Sequence, residues 1–248
     1  MLNLKTSKLI ESLRHRYNML EHEQWARTDV NIWSHFIQKQ AYAVENGEIT
    51  QLCLSHLEKD AIHHFPSEIL SFSYLYFLQL EIADLADIPK SFESMIHLSV
   101  LILKFTIPMD NSFEIAFPPN IERIHLILPT KSEIPKSILK LEKLKELIIE
   151  CEPAEIEIED WSATMTQLDI CGYIVEDWIS DLKSLESIVL ESGIIQLPDI
   201  LWEFPNLKHL MINCIYLCSP QIFLHDLPVF EELCIYDAKE PLLKKIET

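Results

Sequence analysis

Residues 121–144 read IERIHLILPTKSEIPKSILKLEKL. Aliphatic residues stand at relative positions 1, 4 and 6: Ile121, Ile124 and Leu126. The stretch passes through Ile134-Pro135 and closes on Ile138, Leu141 and Leu144. Leu144 opens a new unit, Leu144/Leu147/Ile149, on the same spacing. A pattern whose last residue is the first of its next copy marks a stacked repeat.

Working outward in both directions, the same triplet recurs. Before it come Ile49/Leu52/Leu54, Leu75/Leu78/Leu80 and Leu98/Leu101/Leu103. After Leu144/Leu147/Ile149 come Met165/Leu168/Ile170, Leu185/Ile188/Leu190, Leu207/Leu210/Ile212 and Phe230/Leu233/Ile235. Successive first positions lie 26, 23, 23, 23, 21, 20, 22 and 23 residues apart. Nine triplets at such spacings describe a repeat array with one short strand per repeat. Alternate strand residues face opposite ways, so positions 4 and 6 point into the core and positions 3, 5 and 7 point out. The segment after each strand needs more room than the roughly 4.8 Å between strands, so the array is expected to curve with its strands on the inner face.

The triplets are followed by IPKSFESMIHL from Ile88, IPKSILKLEKL from Ile134 and LPDILWEFPNL from Leu197. With these segments, residues 49–238 resemble the leucine-rich repeat family, in its intracellular, Ras-associated subclass of LPxxIxxLxxL repeats. The stretch from Trp33 to Leu54, WSHFIQKQAYAVENGEITQLCL, is also similar to the lead-in of some archaeal and bacterial members. The resemblance implies an α/β fold: a right-handed solenoid curved as a horseshoe, a parallel sheet on its concave face and a helical N-terminal cap. The family usually carries Asn at position 9. Here that column reads Leu57, Ala83, Thr106, Pro129, Glu152, Tyr173, Gly193, Ile215 and Ala238. The turn after each strand must therefore satisfy its backbone groups in another way. Thr106 to Asn120 has no LPxxI, and Glu150 to Trp161 alternates like an extra strand on the convex side.

Residues 1–48 read as a helical segment and cap ahead of a repeat domain at 49–248. Thr6 or Ser7 is expected to cap a first helix carrying Leu9, Ile10, Leu13, Tyr17 and Leu20. Thr28 or Asp29 is expected to cap a second, with Val30, Trp33, Phe36, Ile37 and Val44 on one side and Gly47 past its end. A repeat array exposes an apolar cross-section at its end, so the second helix is the expected lid. Pro241 to Ile246 is the expected C-terminal closure.

The net charge is −19, from 39 acids and 20 bases. Residues 1–48 hold six of each, so the excess lies wholly in 49–248. An acidic surface repels phosphate backbones and anionic membranes, so neither nucleic acid nor membrane is an expected partner. The densest apolar stretch, Leu98 to Leu103, stops at Lys104, far short of a span. The first residues lack an uninterrupted apolar run, and the six cysteines form no CxxC pair. Both features lead to the expectation of a cytoplasmic protein with reduced thiols.

Catalytic motifs are missing. The only glycines are Gly47, Gly172 and Gly193, too far apart for a phosphate loop. No HExxH or GxSxG occurs, and neither His63-His64 nor Cys151 with Cys171 supplies a full metal ligand set. No enzyme activity, cofactor or metal is expected. The outward columns are where binding is expected. Apolar residues at position 5 are Ile102, Ile148, Val189 and Met211, beside His125 and Asp169; position 3 adds Phe77, Val100 and Arg123. Exposed apolar residues rimmed by charge have the composition of a protein-binding patch. The expected function is a non-catalytic, monomeric interaction scaffold docking a partner protein on its concave sheet. The subclass resemblance would make small GTPases one candidate partner. The alternative is a recognition subunit of a larger system, a ligase adaptor or a resistance-type receptor, with residues 1–48 as its recruiting element.

Overall fold

Neighbouring parallel strands keep an apolar column on one face only if they pair in one register, since a slip of one residue turns the whole set over. The computed structural model describes residues 4–17, 20–21, 41–54, 67–82, 91–109, 114–129, 132, 134–151, 172–174, 182–196, 205–218 and 231–237. The chain divides into two compact units, residues 1–107 with 114–125, and residues 108–113 with 126–248.

In the first unit, β3 (Glu48–Leu54), β4 (Phe77–Ile82) and β5 (Val100–Phe105) run parallel. Leu52 pairs with Leu78, and Leu78 with Leu101; Leu54, Leu80 and Leu103 line up in the same way. All six are buried, as positions 4 and 6 require. Residues 123–125 of β6 (Arg123–Leu128) follow, with Ile124 buried. The strands are knitted at position 2: Tyr76 N–H donates to the Thr50 carbonyl at 2.9 Å, and Glu122 N–H to that of Ser99 at 2.8 Å.

The segments that lead into the strands show why their apolar residues recur every third place. Phe72 N–H donates to the Ile69 carbonyl and Leu75 N–H to that of Phe72. Met95 and Phe92, then Leu98 and Met95, repeat the arrangement. Bonds spanning three residues stack such side chains on one side, and all six are buried there. Thr106 to Asn120, irregular in sequence, joins this layer through a parallel bridge between Ser91 and Ala116.

The N-terminal expectations need correction. Helix α1 spans Leu4–Tyr17, starting before Thr6, so Thr6 is not its cap. Thr6 instead lies buried, and its Oγ1 donates to Glu48 Oε2 at 2.9 Å. Ile10 and Leu13 are buried as well, so this helix is docked. Leu20 belongs to a short strand, β1 (Leu20–Glu21), parallel to the next strand. That strand, β2 (Ala41–Glu45), occupies what was expected to be the end of a second helix. It runs antiparallel to β3, and the hairpin crosses the expected boundary at residue 48. Asn46 (φ 52°) and Gly47 (φ 82°) form its turn. Asn-Gly is the preferred pair for a two-residue hairpin, in which both residues take positive φ. Tyr42 consequently faces the core opposite Leu52, fully buried. Trp33, Phe36 and the C-terminal closure at 241–246 lie outside the described residues.

In the second unit, β7 (Glu146–Cys151), β9 (Ser187–Gln196), β10 (His209–Cys218) and β11 (Glu232–Asp237) are parallel neighbours in that order. Leu147, Ile188 and Leu210 align at position 4 and are buried. Leu141 and Leu144 enter β7 after a 3-10 turn at Lys136–Lys140, with Ile138 buried. One expectation fails here. Leu147 pairs directly with Ile188, so β7 and β9 are adjacent, and the Met165/Leu168/Ile170 triplet expected between them lies outside the described residues. Instead β8 (Gly172–Ile174) pairs with residues 194–196 of β9. β9 and β10 also continue past position 9, with Tyr216 against Ile194 and Leu217 against Ile195. Each unit is thus a stack of parallel strands whose aliphatic side chains recur at matching register positions.

Candidate functional site

The outward columns behave differently in the two units. In the first, Phe77, Val100, Ile102 and His125 are buried, as are Cys53 and Gln79. Ile102 is 1% exposed. Cys53, Tyr76, Phe77, Val100 and Ile102 pack as a cluster of their own, so the side of the sheet expected to face out forms a second core. The Gln51 side-chain amide donates to the Tyr76 hydroxyl within it. These residues are corrected from exposed to buried; of the first unit's candidates, only Arg123 is partly open. Burial also pushes the Cys53 thiol well above its usual range.

In the second unit Ile148 is buried, Val189 is half-buried and Met211 is 37% exposed. Ile148 pairs with Val189, and Val189 with Met211, so the three form one row. Asp169 was expected between Ile148 and Val189; their direct pairing excludes that place, and the residue itself lies outside the described residues. Polar neighbours flank the row: Glu146, Ser187 and His209 at position 3, Glu150, Glu191 and Asn213 at position 7. Along position 2, Lys145, Glu186, Lys208 and Glu231 alternate in sign on successive described strands, and the amides of Glu186, Lys208 and Glu231 each donate to the carbonyl of the one before. Lys208 Nζ donates to Glu186 Oε2 at 2.7 Å. That bond holds the Glu186 carboxyl below its usual range and the Lys208 amine above its own. Cys151 is buried, and its thiol is pushed up to about 12 by burial and by the charge of Glu150.

A second concavity was not anticipated. At the N-terminal ends of β3, β4 and β5, the first unit holds an open groove of about 800 Å³. Its lining includes the acidic residues Glu45, Glu48 and Glu122 and the basic residue Arg123. Tyr74 is 54% exposed and stacks on His97, ring centroids 5.6 Å apart and planes 7° off parallel. Thr50 lines the groove and is 6% exposed, and its buried hydroxyl has no hydrogen-bond partner among the described residues. Of these, Glu48, Tyr74 and His97 fill position 0 and Thr50 and Glu122 position 2, next to column 3, which holds Arg123. The signal was available: Glu48, Tyr74 and His97 in one column, Thr50, Tyr76, Ser99 and Glu122 in the other.

Among the described residues no group of three His, Cys, Asp or Glu side chains is placed to hold a metal ion. Nor, among them, is any helix long and apolar enough to cross a membrane. Compared with known proteins, the chain matches no family model and no curated protein. It is similar to the solved structure of a leucine-rich repeat protein from Leptospira interrogans. Identity is 17% and the TM-score 0.41, over 88% of this chain and 54% of that one. The chain therefore spans about half the length of that protein. The repeat character described here rests on its own strand registers.

Proposed function

We propose that this chain is a non-catalytic protein-interaction module of the leucine-rich repeat family, acting in the cytoplasm as a monomer. Its docking surface is the outward sheet face of the second unit, centred on Met211 and Val189. One observation carries the reading: Met211 is a large apolar side chain exposed mid-strand, in a row with Val189, between polar columns on either side. Apolar centres with polar rims are the usual anatomy of protein interfaces. The buried members of the expected site, Phe77, Val100, Ile102 and His125, are left out of this surface. The LPxxIxxLxxL resemblance keeps a small GTPase among the candidate partners. The alternative role as a recognition subunit loses part of its support, because Ile10 and Leu13 of α1 are spent on the chain's own core.

The test is affinity capture with the intact chain and with Met211→Asp and Val189→Asp variants, followed by mass spectrometry. Both variants are expected to keep the wild-type melting temperature and lose one reproducible partner. Identical capture by all three proteins would remove this face from consideration.

A further inference from the structure

Helix α1 is a basic island on an acidic chain. It holds Lys5, Lys8, Arg14 and Arg16 against Glu11 alone, a net +3, while the remaining residues together carry −22. One side of the helix is fixed to the first unit: Thr6 donates to Glu48, and Ile10 and Leu13 are buried. Lys8, Glu11, Ser12, Arg14 and His15 are all exposed. Residues three and four apart share a helix face, so Lys8, Glu11, Ser12 and His15 form one outward stripe, with Arg14 at its flank. Among the described residues no ion pair holds Lys8 or Arg14.

Local helix physics explains only half of this charge. Arg14, His15 and Arg16 stand in the last turn, where cations complement the helix dipole. Lys5 stands in the first turn, which holds no acid, and there the same dipole disfavours a cation. Lys8 follows within a turn, on the outward side. A local rule broken without local gain is the usual mark of a functional position.

The occupant follows from what the helix has left to offer. A bilayer is ruled out, because an interfacial helix buries its apolar face in lipid, and here Ile10 and Leu13 are committed to the protein core. Nucleic acid extends beyond the helix and would meet the −22 of the remaining chain. A short acidic segment stays over the island. The stripe is about 21 Å long, enough for about six extended residues. Because the helix is already docked, binding orders little of it, which lowers the entropic cost.

We propose that the outward face of α1 docks an acidic, extended segment of a partner protein, its carboxylates meeting Lys8 and Arg14. The inference does not rest on the Met211 face.

The experiment is fluorescence anisotropy of a labelled Ala-Glu-Glu-Ala-Glu-Glu-Ala peptide at low salt on the full chain, with a short oligothymidine and phosphatidylserine vesicles as comparison probes. Lys8→Gln with Arg14→Gln should weaken the glutamate peptide about fivefold, the loss of two surface ion pairs, at an unchanged melting temperature. Two exposed bases elsewhere, Lys136→Gln with Lys140→Gln, should change it less than about twofold, as distant surface charges are screened. Glu11→Gln is the sharpest arm. It removes the single carboxylate of the stripe, so the peptide should bind about twofold tighter, a gain that damage to the fold would not produce. Equal losses from the helix and control pairs would reduce the effect to bulk charge and overturn the proposal. So would unchanged or weaker binding in Glu11→Gln, oligothymidine or vesicles binding at least as tightly as the peptide, or no peptide binding at all.

Discussion

Ile102 and Met211 hold the same place in the repeat, position 5 of a central strand, yet one is 1% exposed and the other 37%. Both sit on regular parallel strands in the same register. The difference lies in their neighbours. Around Ile102, positions 2 and 3 carry Tyr76, Phe77 and Val100, whose side chains cluster over the sheet with it and Cys53. Around Met211, the same positions carry Lys208, Glu186, His209 and Ser187, which stay hydrated and leave the strand face open. A repeat therefore does not dictate which face is surface. The bulk and charge of the two adjoining columns do, and in this chain they divide one unit built on two cores from one with a usable face.

The largest effect that probes this contrast comes from aspartate at position 5. Ile102→Asp buries a carboxylate in an apolar cluster and is expected to unfold the first unit in thermal melts followed by circular dichroism. Met211→Asp is expected to shift stability by less than about 0.5 kcal/mol in denaturant titrations. Comparable losses from both would erase the distinction. Next comes Leu13→Ala in α1, expected to cost about 3 kcal/mol because the side chain is fully buried. A melt unchanged by it would mean that the helix packs without holding the first unit together. Gly47→Ala should cost about 1 kcal/mol, since alanine pays a steric penalty at a φ of 82°.

Two smaller effects are chemical. Cys53 and Cys151 are expected to resist iodoacetamide in the folded chain at mildly alkaline pH and to react once it is denatured, read by peptide mapping. The smallest concerns Glu186 and Lys208. A carboxyl lowered on folding adds stability above its ordinary titration range, and that share is lost as pH falls through the lowered value; a raised amine adds stability below its ordinary range. Both shares are present at neutral pH. Glu186→Gln should therefore melt slightly below wild type at neutral pH and low salt, and the gap should close in strong acid or high salt.

Positions 4 and 6 were legible in the sequence because their requirement is simple: Leu78, Leu101, Ile124 and Leu147 had to be apolar and evenly spaced, and all are buried. The Asn46-Gly47 turn was equally visible but was taken as a helix stop. Glycine serves both purposes, and only the alternation of Tyr42 and Val44 across β2 separates them. Met165/Leu168/Ile170 matched the spacing, and spacing alone cannot say whether a segment enters the sheet. The exposure of position 5 was misjudged because it depends on side chains one repeat away, Tyr76 and Phe77 against Val100 and Ile102. The groove was missed for a related reason. Thr50, Tyr74 and His97 stand at positions outside the alternating core, where nothing in the pattern asks what they do.

The hairpin at Asn46-Gly47 bears on solubility. Parallel strands such as β3 can recruit any chain that offers a matching edge, which is how stacked repeats elongate into fibres. Here β2 covers β3 in the opposite direction, so an incoming parallel strand meets the wrong ladder. Beyond β2 lies β1, only two residues long. The described edge also carries Glu21, and a short edge strand bearing a charge is a poor template for further pairing.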